Sequence, residues 1–141
     1  MNDELKIKMY SFTLDCVDPS HLAGFYAALL KWEIVFAVED YAAVAPPGSK
    51  QGSYPGILFQ RNPDYVSPVW PATHGSQQLI AHIDFAVNDF ESTISHAIDC
   101  GAIVAETQFS ADWTVMIDPA RHPFCLCLMR TMMESTDFSL L

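Results

Sequence analysis

The chain has 141 residues, half of them hydrophobic and 12% aromatic, enough for one real core and too rich for disorder. Its 17 acidic residues against 7 basic ones leave a formal charge of −10, which disfavours nucleic acid and anionic membrane surfaces as partners. No apolar run approaches the roughly 18 residues of a membrane span, and Met1-Asn2-Asp3-Glu4 is no signal peptide, so a soluble, cytoplasmic protein is expected.

Residues 1–6 read as a frayed start. Met9 to Cys16 reads as a strand, with Tyr10, Phe12 and Leu14 on the core side and Ser11, Thr13 and Asp15 opposite. Asp18-Pro19 opens a helix with a capping acid and then a proline where a missing N–H costs nothing. Leu22, Phe25, Tyr26, Leu29 and Leu30 give that helix its apolar stripe, and Lys31 ends it where a glycine would be expected. Glu33–Val38 and Tyr41–Ala45 read as a hairpin about Glu39-Asp40, Pro46 to Ser53 as a loop, and Ile57–Arg61 as a fourth strand. The proline- and serine-rich stretch 62–78 is a long linker whose Tyr65 and Trp70 are placed to cover a cavity or to meet another subunit.

The opening pattern then recurs. His82-Ile83-Asp84-Phe85-Ala86-Val87-Asn88-Asp89 lies against Ser11 to Asp18, with Ile83 matching Phe12, Phe85 matching Leu14 and Val87 matching Cys16. Asn88 and Asp89 are both good helix N-caps, and Asn88 with Glu91 makes a variant capping box. Phe90, Ile94, Ala97 and Ile98 then recur at helical spacing, and Gly101 supplies the stop. Ile103–Ala105, Trp113–Ile117 and Phe124–Met129 complete a second strand–helix–three-strand copy. One domain is expected, with modules at about 7–61 and 79–130, a linker at 62–78 and a tail at 131–141 that reads as loose or as a dimer-docking arm. The four cysteines read as reduced thiols packed as small hydrophobes, because Cys125 and Cys127 share one strand face and cannot easily bond each other.

Residues 15–32, Asp-Cys-x-Asp-Pro-x-x-Leu-Ala-x-Phe-Tyr-x-x-Leu-Leu-x-Trp, carry a resemblance that the second half repeats. There, His82-Ile83-Asp84-Phe85 is followed by Gly101-Ala102, then Trp113, then Asp118-Pro119 and His122-Pro123-Phe124-Cys125-Leu126. Over about residues 7–130 the chain resembles the glyoxalase-like branch of the vicinal oxygen chelate superfamily, which includes bleomycin resistance proteins and extradiol dioxygenases. The resemblance implies an α+β fold, with two βαβββ modules forming an eight-stranded cupped sheet around a cavity, and association as a homodimer. In metal-dependent members, His, Glu or Gln ligands on the first and last strand of each module hold a divalent ion.

Carried onto this chain, the ligand positions are Ser11, a place near Leu58 with Gln60 beside it, His82 and Cys125. Only His82 matches. Arg121-His122 also replaces the Gly-Asn pair of the family's Asp-Pro-x-Gly-Asn turn. The expectation is therefore a protein that binds a small organic molecule, lined by Ser11, Gln60, His82, Asp84, Trp113 and Cys125, with no high-affinity metal. A divergent lyase, isomerase or dioxygenase using Zn, Ni, Mn or Fe is the alternative. Asp84 and Asp15, taken as matching repeat positions, make a candidate acid/base pair, and Cys125 with His82 a candidate nucleophile and base. His21, His74 and His96 read as surface residues.

Overall fold

The computed structural model describes residues 4–49 and 56–128. They fall into two compact units, the first ending at Tyr65 and the second beginning at Val66. The class is α+β, and each unit is a βαβββ module. No helix among the described residues is long and apolar enough to cross a membrane.

The first module holds β1 (Ser11–Cys16), α1 (Pro19–Leu30), β2 (Glu33–Ala37), β3 (Tyr41–Ala45) and β4 (Gly56–Arg61), with sheet order β1-β4-β3-β2. Its only parallel pairing is β1 with β4; the others are antiparallel. Register puts Phe12, Ile57 and Val44 in one row and Leu14, Phe59 and Ala42 in the next. These rows form the core with Leu22, Phe25, Tyr26 and Leu29 of α1, where Tyr26 stacks on Phe59 with ring centroids 5.5 Å apart. Asp18 caps α1 by accepting from the His21 N–H at 3.2 Å. At the other end Lys31 takes φ 56°, the left-handed cap conformation that glycine adopts without strain.

The second module holds β5 (Asp84–Val87), α2 (Phe90–Cys100), β6 (Ile103–Val104), β7 (Trp113–Ile117) and β8 (Pro123–Leu128), in sheet order β5-β8-β7-β6. Phe85, Leu126 and Thr114 make one row on one face, with Phe124 meeting Phe85 edge-on at 5.8 Å. The opposite face carries Asp84, Cys125 and Val115 in one row and Ala86, Cys127 and Trp113 in the next.

Several expectations need correction. β1 begins at Ser11, and Tyr10 is half-exposed outside the strand. The cap of α2 is Asp89, whose carboxylate accepts from the Ser92 N–H at 2.9 Å, so Asn88 and Glu91 form no capping box. An aspartate carboxylate reaches the N–H three residues on without help, which leaves Asn88 outside the motif. Of the α2 stripe, only Ala97 is buried. β6 is shorter than expected because after Val104 only half of the next backbone pairing is made, the Ala105 N–H donating to the Val115 carbonyl at 3.0 Å with no return bond from the Val115 N–H to Ala105. The Gln108 side chain completes that pair, donating to the Ala105 and Val115 carbonyls and accepting from the Val115 N–H. The tail at 131–141 and the end of the last strand at Met129 lie outside the described residues, as does the loop segment 50–55.

Candidate functional site

The strand preceding α2 decides the chemistry. β5 is regular only from Asp84, and the Cys125 N–H donates to the Ile83 carbonyl at 3.0 Å, tying the approach to the sheet to β8. Successive side chains of an extended segment alternate faces, so His82 and Asp84 project together. Their side chains meet, with Nε2 of His82 3.0 Å from Oδ1 of Asp84. Cys125 is the register partner of Asp84 across the parallel β5–β8 pair, so its thiol joins them. One donor atom from each of His82, Asp84 and Cys125 lies within 4.8 Å of the other two.

The electrostatics of this trio are lopsided. Burial pushes the Cys125 thiol up to about 12, and the Asp84 charge, Cys127 and a hydrogen bond to Asp84 push the same way. Cys127 is raised for the same leading reason, burial, and then by Asp84. A thiol beside a carboxylate loses its proton reluctantly, because the thiolate would face a like charge in a poorly solvated place. Cys125 is therefore a hydrogen-bond donor at neutral pH rather than a nucleophile. All four cysteines are free of disulfides.

The remaining candidates distribute as follows. Trp113 lies on the same sheet face, opposite Cys127, with 37% of its surface exposed. Ser11 and Gln60 belong to the first module, where Ser11 pairs with Gly56 and exposed Gln60 lies between Asp15 and Tyr41. Register resolves the position given only as near Leu58. Thr13 pairs with Leu58 as Asp84 pairs with Cys125, so Leu58 is the counterpart of Cys125 and Thr13 that of Asp84. Asp15 matches Ala86, not Asp84, in agreement with the alignment of Ser11–Asp18 on His82–Asp89, and the acid/base pair drawn from repeat symmetry dissolves. Each acid has a partner in its own module, Asp15 accepting from the Asn62 amide at 3.1 Å.

Two features find their partners only in the fold. Trp70, from the long connecting stretch, packs on the cluster of Ala105, Val115, Ile117, Cys125 and Cys127, and its indole N–H donates to the Thr107 carbonyl at 3.3 Å. The expectation that Trp70 covers a cavity or meets another subunit named the residue but not its burial partners, which lie far along the chain. Asp118 is the second. Its side chain is fully buried, Oδ1 accepting from the Ala120 and His122 N–H groups at 2.9 Å and Oδ2 lying 2.8 Å from Nδ1 of His122. A cavity of about 340 Å³ lies against β6, at the opposite edge of the sheet from β5, and none of the six candidate residues lines it.

Three solved structures illustrate the likeness to known proteins. Glyoxalase I of Leishmania major is 17% identical, with 92% of this chain and 91% of that one covered at a TM-score of 0.57. A glyoxalase/bleomycin resistance protein/dioxygenase family enzyme of Burkholderia phytofirmans is 12% identical, with 83% and 94% covered at 0.58. A glyoxalase family protein of Enterococcus faecalis is 17% identical, with 85% and 96% covered at 0.59. At such identities the likeness speaks of the fold alone. No curated protein sequence matches the chain. The family described as a glyoxalase-like domain matches residues 11–127, across both βαβββ modules, and the chain belongs to that family within the vicinal oxygen chelate superfamily.

Proposed function

We propose that this protein binds a small organic molecule on the face of its second module that carries His82, Asp84 and Trp113, by hydrogen bonding and shape rather than through a tightly held catalytic metal. The observation that carries the reading is the engagement of His82 with Asp84 beside a thiol that stays protonated. His82 and the Cys125 thiol offer the polar contacts, and the partly exposed Trp113 ring the apolar one, an arrangement usual for organic ligands.

The donor chemistry does not fit the divalent ion that metal-dependent relatives hold. The first-module counterparts of Asp84 and Cys125 are Thr13 and Leu58, and Ser11 is the counterpart of His82. Leucine donates nothing, and neutral hydroxyls are poor ligands for Zn²⁺ or Mn²⁺. What is left comes from one module, and its thiol must give up a proton against the Asp84 charge before it can ligate. The alternative, a divergent metal-dependent lyase, isomerase or dioxygenase, draws support from the 4.8 Å spacing of the same three donors.

Homodimer formation and a cytoplasmic setting are part of the proposal. The test is a screen of small organic molecules against tag-free protein, with and without a chelator, read by NMR at the His82 imidazole. The reading expects hits that shift His82 equally in both conditions. Hits that need Zn²⁺, Ni²⁺, Mn²⁺ or Fe²⁺ would favour the alternative.

A further inference from the structure

The cavity against β6 is walled by Pro68, Trp70, Ile103 and Ile117, and its two charged lining residues are Glu106 and Arg121. At about 340 Å³ it lies at the small end of the roughly 300–1,000 Å³ typical of ligand pockets, a size suited to a molecule as large as an amino acid. The two charges do not pair with each other, and neither side chain has a hydrogen bond or ion pair among the described residues. The cavity thus offers one cation and one anion, both available, beside an indole and the branched aliphatic residues Ile103, Val104 and Ile117.

Arg121 is held there at a cost. Its φ of 73° is the left-handed conformation, unfavourable for any residue with a Cβ. The turn cannot relax, because Asp118 accepts from the N–H groups on both sides of Arg121 and from the His122 ring, while the Arg121 N–H donates to the Asp118 carbonyl at 2.9 Å. An arginine kept where glycine would be free of strain points to a use for its guanidinium. The net charge of −10 bears on which ligand that is. It repels a free anion at long range, whereas a molecule without net charge approaches unopposed.

We propose that this cavity binds a small zwitterion of amino-acid size, with its carboxylate on Arg121, its ammonium group toward Glu106 and its apolar part against Trp70, Ile103 and Ile117. Guanidinium is well matched to carboxylate, and the indole face suits the ligand's apolar part. This site goes beyond the function proposed above and shares none of the residues around His82.

Calorimetric titration with three probes of one shape tests it: L-phenylalanine, 3-phenylpropanoate without the ammonium group, and phenethylamine without the carboxylate. Saturable binding of L-phenylalanine is expected, with each truncated probe weaker by about tenfold or more. Arg121→Gly and Glu106→Gln should each weaken L-phenylalanine by a similar factor. Arg121→Gly should keep or raise the thermal midpoint, since glycine suits that backbone, so lost binding in this variant is not lost folding. The proposal is overturned by no saturable binding of L-phenylalanine up to about 10 mM. Equal affinity for 3-phenylpropanoate, or unchanged affinity in Arg121→Gly, overturns it as well.

Discussion

His82 and Asp84 stand two residues apart on one extended face, with Nε2 and Oδ1 3.0 Å apart and both side chains about half-exposed. Burial is the first cause of the raised proton affinity of a third residue, Cys125, and the Asp84 carboxylate beside its thiol adds to it. Asp84→Asn removes the charge and leaves the shape. Because burial is the larger cause and remains, the Cys125 thiol should fall from about 12 yet stay above its ordinary 9.0, and Cys127 should fall with it. The pH dependence of iodoacetamide labelling, assigned to each cysteine by mass spectrometry, reads both values. Unchanged labelling profiles in the variant would contradict the role given to Asp84.

The same thiols make the folded state sensitive to alkali. Cys100, Cys125 and Cys127 all hold their protons more tightly folded than unfolded, burial being the first cause in each. A raised folded value adds stability that is complete below the unfolded value of 9.0 and is lost as pH rises through the folded value, here toward about 12 for Cys125. Urea midpoints should therefore decline between pH 9 and 11 by more in wild type than in Cys125→Ala, each compared with its own value at pH 8. Equal declines would remove Cys125 from this account.

Asp118 is the most exacting polar residue described, buried with three hydrogen-bonding partners in the turn between β7 and β8. Asp118→Ala strips the partners from two backbone N–H groups and from His122, and should cost about 2–4 kcal/mol. Asp118→Asn retains an acceptor and should cost less. Urea unfolding measures both, and a loss under about 0.5 kcal/mol for the alanine variant would mean the turn holds without its aspartate.

Two backbone positions predict opposite signs. Lys31 caps α1 at φ 56°, so Lys31→Gly should stabilise by about 0.5–1 kcal/mol. Gly56 begins β4, and a Cβ there would sit 2.7 Å from the Val44 carbonyl oxygen, so Gly56→Ala should destabilise by about 1–3 kcal/mol. Thermal melts of the two variants should move in opposite directions, and a shared direction would contradict the geometry at one of them.

The repeat was the most legible feature of the chain, because alternation in a strand and spacing in a helix are local. Phe12, Leu14 and Cys16 against Ile83, Phe85 and Val87 place both sheets, and Asp18-Pro19 marks the start of α1 to the residue. Pairing is not local, so the match of Leu58 with Cys125 needed the register of β1 on β4 to be resolved. The joint projection of His82 and Asp84 follows from alternation alone, yet their contact and its effect on Cys125 depend on β8 lying beside β5. The partners of Trp70 and the role of Gln108 were illegible for a related reason. One is buried by a distant cluster and the other acts as a stretch of backbone, and no periodicity announces either role.

The central claim is that the second module holds an organic molecule without a tightly bound metal, and metal content tests it most directly. Elemental analysis of protein purified without a histidine tag should find no stoichiometric transition metal. Titration of Zn²⁺, Ni²⁺, Mn²⁺ and Fe²⁺ should give only weak binding, because one imidazole, one carboxylate already paired to it and one protonated thiol make a poor ligand set. One equivalent of metal per chain that is lost in His82→Ala would contradict the account and move the balance to a metal-dependent enzyme.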